Sequence, residues 1–281
     1  MIPRRIIHVY SAPPGKPAEL PLAARAAVAG AQALHPDFEH VLFGRAEMAA
    51  FLAREFPQYQ DVFATFPLPI QRFDFFRYLA VYRLGGFYLD LDVYLARSLE
   101  PLLACDCVFS FEELTINPFL WREHGLDWEL ANYAFGAAPG DPFLAAIITN
   151  CVRSLHEPRW AARMMQGIPR YFRSQFHAPL STGPGLVSRT FAEHPELQPG
   201  VTVLSPPDVC RERDWHGFGD FGAHLMQASW RKRDGFLRSR LTRLWENRQR
   251  AAGMKRSRAL GPVRAGPWQN HSARSLAEVS A

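Results

Sequence analysis

The run Gly85-Gly86-Phe87-Tyr88-Leu89-Asp90-Leu91-Asp92 constrains the fold more than any other part of the chain. A segment with Phe73, Phe76, Ala80 and Leu84 at helical spacing leads into it. Two glycines stop that helix. A short apolar strand follows and ends in two carboxylates one residue apart. A sheet interior does not hold two uncompensated charges, because taking each ion out of water costs several kcal/mol. The strand must therefore end at an edge where something positive meets Asp90 and Asp92. A hard divalent cation, bound through one or two carboxylates and shared with substrate phosphates, is the usual solution. The pattern points to a metal-dependent enzyme acting on a phosphorylated or nucleotide-activated substrate.

The elements around this run alternate. Strand patterns fall at residues 6–10, 41–43, 87–89, 107–111, 133–137 and 201–204, with extended structure at 93–95. Helical patterns fall at 18–34, 46–56, 58–66, 70–84, 159–176 and 186–194, and another opens at Pro142 behind Asp141 as its N-cap. Residues 112–127 read as a loop over the site. Alternation of this kind predicts an α/β fold with a mainly parallel central sheet.

The length of 281 residues suits one large domain with a tail. Residues 1–230 form the expected domain, 231–252 a basic helical segment and 253–281 a disordered basic tail. The formal charge of +5 is unevenly placed. Between Arg231 and Arg264 there are 12 Lys/Arg and 2 Asp/Glu, so the rest of the chain is mildly acidic. The basic pI describes the tail, and nucleic acid is not an expected partner. No apolar stretch reaches the length of a spanning helix and no signal pattern opens the chain, so a cytoplasmic location is expected. Cys105, Cys107, Cys151 and Cys210 lack zinc spacing and read as reduced thiols.

Asp74 and Arg77 lie three apart on the helix before the glycine turn, hence on one face. On an open helix such a pair contributes a few tenths of a kcal/mol. Here the turn returns the chain toward the carboxyl edge of the sheet, where open α/β folds bind ligands. An arginine at that edge can pair bidentately with a diphosphate.

The stretch from Arg72 to Asp92 resembles the sugar-binding DXD region of glycosyltransferase family 32. It carries D-x-x-R-Y, then L-Y-x-x-G-G-x-Y-x-D-x-D with Val81 in place of the usual leucine before Tyr82. That family includes the yeast initiating α-1,6-mannosyltransferases and bacterial capsule and lipopolysaccharide transferases, and the clostridial glucosylating toxins share the core pattern. The opening strand Pro3 to Tyr10, the element Asn132 to Pro142, the loop Thr182-Gly183-Pro184 and the closing His224 to Ser229-Trp230 resemble family segments in the same order. The resemblance spans roughly residues 3–230. Tyr10 stands where tryptophan is commoner, and Asp141 where histidine is common.

The resemblance implies a GT-A type, Rossmann-like nucleotide-sugar-binding fold. It also implies a retaining hexosyl transfer from a UDP- or GDP-sugar to a glycan or lipid-linked acceptor, as in bacterial surface polysaccharide synthesis. By the same analogy Asp92 coordinates Mn²⁺ or Mg²⁺, with Asp90 contacting ribose and sugar and reaching the metal through water. Asp74 and Arg77 bind the donor, joined by His8, Tyr10 and Tyr78, and Ser229 and Trp230 close over the diphosphate. Asn132, Thr182, Gly183 and His224 are further candidates. No carboxylate is identified as a nucleophile.

Leu237, Leu241, Leu244 and Trp245 are expected along one face of the basic segment, with arginines elsewhere. That composition fits a membrane-surface helix at the inner leaflet, or a helix packed on the domain with a solvated basic face. Two other functions share parts of the pattern. A haloacid-dehalogenase-type phosphatase also places D-x-D after an apolar strand, but on the first strand of its domain. A sugar-nucleotide-binding protein without turnover would keep the same residues.

Overall fold

A computed structural model describes residues 1–12, 19–206, 208–225 and 236–259, and in the last stretch the side chains of residues 240–256. The first half contains β1 (Arg5–Val9), α1 (Leu22–Leu34), β2 (Glu39–Phe43), α2 (Arg45–Glu55), α3 (Gln60–Thr65), α4 (Pro69–Leu84), β3 (Gly86–Leu89), β4 (Val93–Leu95) and β5 (Cys107–Leu114). The second contains α5 (Pro118–Glu123), β6 (Trp128–Ala137), α6 (Pro142–His156), α7 (Pro158–Arg163), α8 (Arg173–Ser181), α9 (Pro184–Glu193), β7 (Val201–Leu204), β8 (Gly222–His224) and α10 (Phe236–Ala259).

Six strands form one sheet in the order β2-β1-β3-β6-β5-β7. β6 runs antiparallel to both neighbours, and the other five strands share one direction. This is the expected mainly parallel α/β sheet. The carboxyl ends of β1, β3 and β5 and the amino end of β6 therefore meet at one edge. β4 and β8 make a separate ribbon, with Val93 opposite His224.

Period-two alternation divides the sheet's side chains between two cores. Ile7, Tyr88, Phe109 and Phe135 face α4, α6 and α9, with Phe75, Phe76, Leu79, Ile147 and Leu186. Phe109 and Phe135 stack on adjacent strands, with ring centroids 4.9 Å apart. Ile6, Phe87, Leu89 and Val108 face the other side, against Ala31, Phe38, Leu99, Phe218 and Phe221. Each buried phenylalanine contributes roughly 1.5–3 kcal/mol.

The turn from α4 into β3 depends on both glycines. Gly85 has φ +65° and Gly86 φ +107°, where L side chains rarely go. A Cβ on Gly86 would lie 2.7 Å from the Arg5 carbonyl oxygen. Asp141 caps α6 as expected, accepting from the Leu144 N–H at 2.9 Å, with Pro142 next. All four cysteines are free thiols.

The segment expected as a loop at 112–127 is largely regular. β5 continues to Leu114, α5 follows, and β6 starts at Trp128. Local patterning hides this because the strand ends carry charge, and the compensation comes from far away. Arg250 of α10 pairs with Glu113 at 2.7 Å, and Thr115 donates to Glu129 at 2.5 Å.

α10 also departs from expectation. It runs to Ala259, past the boundary set at residue 252. Trp245 turns inward against Phe172 and Phe176, whereas Leu241 and Leu244 are exposed. Successive helical residues are about 100° apart, so Leu244 and Trp245 do not share a face. The Leu237 side chain lies outside the described residues.

Candidate active site

The length of α4 sets where its polar pair sits. Ten residues of helix from Asp74 to Leu84 rise about 15 Å, and four of strand from Gly86 to Asp90 about 13 Å. The glycine turn reverses the chain, so Asp74 and Arg77 come back over the carboxyl end of β3.

Both are buried, each only 4% exposed. Arg77 Nη2 lies 3.1 Å from Asp74 Oδ1, and its Nη1 lies 3.2 Å from Asp90 Oδ1. Nη1 also donates to the Asn132 carbonyl at 2.8 Å. The guanidinium sits over the Tyr88 ring, 4.6 Å from its centroid, and the Tyr88 hydroxyl donates to Asp90 Oδ1 at 2.5 Å. Burial works against the charge on Arg77, but Asp90, Tyr88 and Asp74 outweigh it and raise its pKa. Arg77 Nε is buried with no hydrogen-bond partner among the described residues.

Asp74 is fixed from three sides. Asn132 Nδ2 donates to Oδ1 at 3.0 Å and Thr182 Oγ1 donates to Oδ2 at 2.9 Å, beside the Arg77 contact. Tyr78 completes the cluster, receiving a bond from Asn132 Nδ2 at 3.1 Å and donating to the Thr182 carbonyl at 2.8 Å. The Thr-Gly-Pro loop thus buttresses Asp74. Gly183 is there for proximity: its φ of −89° is ordinary, but a Cβ would lie 2.9 Å from Pro179 Cα.

Asp90, Asp92 and His224 form a second group, half-buried, in which one ligand atom from each lies within 4.8 Å of the others. His224 Nε2 is 3.2 Å from Asp92 Oδ1. The imidazole stacks on Tyr133 with centroids 4.1 Å apart, which fixes its plane. The β4–β8 ribbon delivers it, since His224 pairs with Val93, the residue after Asp92. Among the described residues, Arg77 is the guanidinium that pairs with Asp74 and Asp90. The carboxylate–imidazole donor set of Asp90, Asp92 and His224 suits a divalent ion.

The other expected residues are distributed as follows. His8, on β1, is buried and donates from Nδ1 to the Leu89 carbonyl at 2.8 Å, pinning β1 to β3 beside Asp90. Burial lowers its pKa to about 4, so it is neutral. Its Nε2 has no partner among the described residues. Tyr10 follows β1 at the same edge and donates to the Glu19 carbonyl at 3.2 Å. Ser229 and Trp230 lie outside the described residues. Sequence reasoning assigned no role to Tyr88 or Tyr133. The strand alternation that puts Tyr88 on the face of Asp90 could have found the first. Nothing local signals the second.

Residues 23–109 match the family described as glycosyltransferase sugar-binding region containing DXD motif. The matched segment is similar to the sugar-binding region of DXD-containing glycosyltransferases. That region holds α4, β3 and both carboxylates of the DXD motif. Inositol phosphoceramide mannosyltransferase 3 of Schizosaccharomyces pombe is 34% identical over 120 residues, covering 43% of this chain and 30% of the relative. Inositol phosphoceramide mannosyltransferase 1 of the same yeast is 28% identical over 203 residues, covering 71% and 54%. Mannosyl phosphorylinositol ceramide synthase SUR1 of Saccharomyces cerevisiae is 39% identical over 71 residues, covering 25% and 19%. The chain spans about half or less of the length of these curated relatives. Among solved structures, the PaToxG glycosyltransferase superposes with a TM-score of 0.46 at 12% identity, over 70% of this chain and 73% of that one.

Proposed function

We propose that this chain transfers a hexose from a nucleoside-diphosphate sugar to a glycolipid acceptor, with retention of configuration and with a divalent cation held by Asp92, Asp90 and His224. Mannose is the first candidate for the sugar, because the named relatives are mannosyltransferases. Their names also favour a sphingolipid-like acceptor over a polysaccharide. A cytoplasmic site of action next to a lipid surface belongs to the same proposal.

One observation carries it: the buried Asp74–Arg77 pair meets half-buried Asp90, which with Asp92 and His224 forms a second group at the same sheet edge. Breaking the sugar–phosphate bond leaves a nucleoside diphosphate with growing negative charge. A bound Mn²⁺ or Mg²⁺ supplies Lewis-acid stabilisation of that charge. Arg77 adds a fixed positive charge at no reorganisation cost, being already clamped by Asp74, Asp90 and Tyr88. A carboxylate has about four acceptor positions. Three donors occupy Asp74, which leaves room for one sugar hydroxyl and fixes its direction. A dehalogenase-type phosphatase would need the first carboxylate free to attack phosphorus, whereas Asp90 Oδ1 is engaged by Tyr88 and Arg77.

The test is release of nucleoside diphosphate from UDP- and GDP-hexoses, with and without Mn²⁺, and the anomeric configuration of the product by NMR. Metal-dependent release that Asp92→Asn abolishes supports the assignment. Unchanged release in Asp92→Asn overturns the metal ligands, and no turnover of any sugar nucleotide overturns the transferase.

A further inference from the structure

α10 packs one face on the domain and leaves the other outside. Thr242, Trp245, Arg250 and Gly253 point inward: Trp245 onto Phe172 and Phe176, Arg250 onto Glu113, and Gly253 onto Leu114. The outward face carries Leu241, 41% exposed, and Leu244, 59% exposed. Around them stand Arg240, Arg243, Arg248 and Lys255, all exposed. The one acid among residues 240–256, Glu246, is turned inward and lies 3.9 Å from Arg250.

A second element adds to this face. Phe172, which holds Trp245, is flanked by exposed Arg170 and by Tyr171, 53% exposed. Residues 158–176 contain four arginines and no acid. The Phe172–Trp245 contact thus brings a second segment, with an exposed arginine and an exposed tyrosine, beside α10.

Exposed leucines on a monomer's surface lose nothing singly, but grouped and ringed by one sign of charge they mark a binding surface. The chemistry that matches is an anionic lipid leaflet: acyl chains for the leucines, headgroup phosphates for the arginines. The placement fits as well. Arg250 meets β5 at its carboxyl end, on the edge that also holds Asp90 and Asp92. We infer that the outward face of α10, with Arg170 and Tyr171, docks the protein on an anionic membrane surface, with the site's edge turned toward the lipid. The inference rests on charge and exposure and not on the transferase reading.

The test is co-sedimentation of the full chain with vesicles of phosphatidylcholine alone or mixed with phosphatidylglycerol. Binding to the mixed vesicles only, weakening with salt, is expected. Leu241→Glu/Leu244→Glu should abolish it without lowering the melting temperature. Arg243→Gln/Arg248→Gln should weaken it, by about fivefold for each arginine removed. Equal binding by the leucine double variant, or no binding of the natural chain to phosphatidylglycerol, overturns the inference. So does a concentration-dependent dimer in solution that the leucine double variant breaks, which would make the face a contact between copies. Sedimentation needs no turnover, so it succeeds or fails separately from donor hydrolysis.

Discussion

Glu129 offers a quantitative test of how the strand ends are compensated. It is buried at the start of β6, 6% exposed. Burial, and then the nearby Glu113, push its pKa up to about 7, against the bond from Thr115 and the charge of Arg250. An ordinary glutamate in the unfolded chain titrates near 4.3. The native state therefore keeps a proton that the unfolded chain loses, and its stability falls as pH rises through that interval. A gap of about 2.7 units, at 1.36 kcal/mol each, gives a full loss of about 3.7 kcal/mol. The loss begins above about pH 4.3 and is complete just above pH 7. Glu129→Gln keeps an acceptor for Thr115 and removes the titration. His8 acts in the opposite sense: with its pKa lowered to about 4, it costs stability as pH falls below about 6.5. The readout is therefore the difference between variant and natural chain, by urea unfolding at several pH values. The variant should gain about 3 kcal/mol relative to the natural chain between about pH 4.5 and pH 8. A constant difference across that range would refute the reasoning.

Three further outcomes are expected. Thr182→Val should destabilise by about 1–3 kcal/mol and lower activity, since it leaves the buried Asp74 Oδ2 without its donor; Thr182→Ser should restore both, and a neutral Thr182→Val would remove the loop's assigned role. Gly86→Ala should be far worse than Gly140→Ala by thermal melting. Both have positive φ, but only at Gly86 would the Cβ meet backbone, while Gly140 has open space. His224→Ala should abolish Mn²⁺-dependent stabilisation while leaving the metal-free melting temperature nearly unchanged, and a retained Mn²⁺ response would exclude His224 as a ligand.

The legible parts of the sequence are those governed by local rules. The glycine pair, the three-residue spacing of Asp74 and Arg77, the Asp141 cap and the carboxylates at a strand end each follow from backbone geometry or charge over a few residues. They locate the site's centre and the α/β class. The hidden parts depend on partners distant in sequence. β5 and β6 extend through Glu113 and Glu129 because Arg250 and Thr115 compensate them. His224 reaches Asp92 because a two-stranded ribbon pairs it with Val93. The inward turn of Trp245 depends on Phe172 and Phe176, which helical periodicity within α10 cannot reveal.

The most direct test of the central assignment is a thermal-shift panel of UDP-, GDP-, CMP- and dTDP-sugars, each with and without Mn²⁺, on the natural chain and on Asp92→Asn. Stabilisation of the natural chain that requires one nucleotide class together with Mn²⁺, and that Asp92→Asn loses, is the predicted result. No shift with any sugar nucleotide, or a shift indifferent both to Mn²⁺ and to Asp92, would contradict a cation-assisted nucleotide-sugar site at the end of β3.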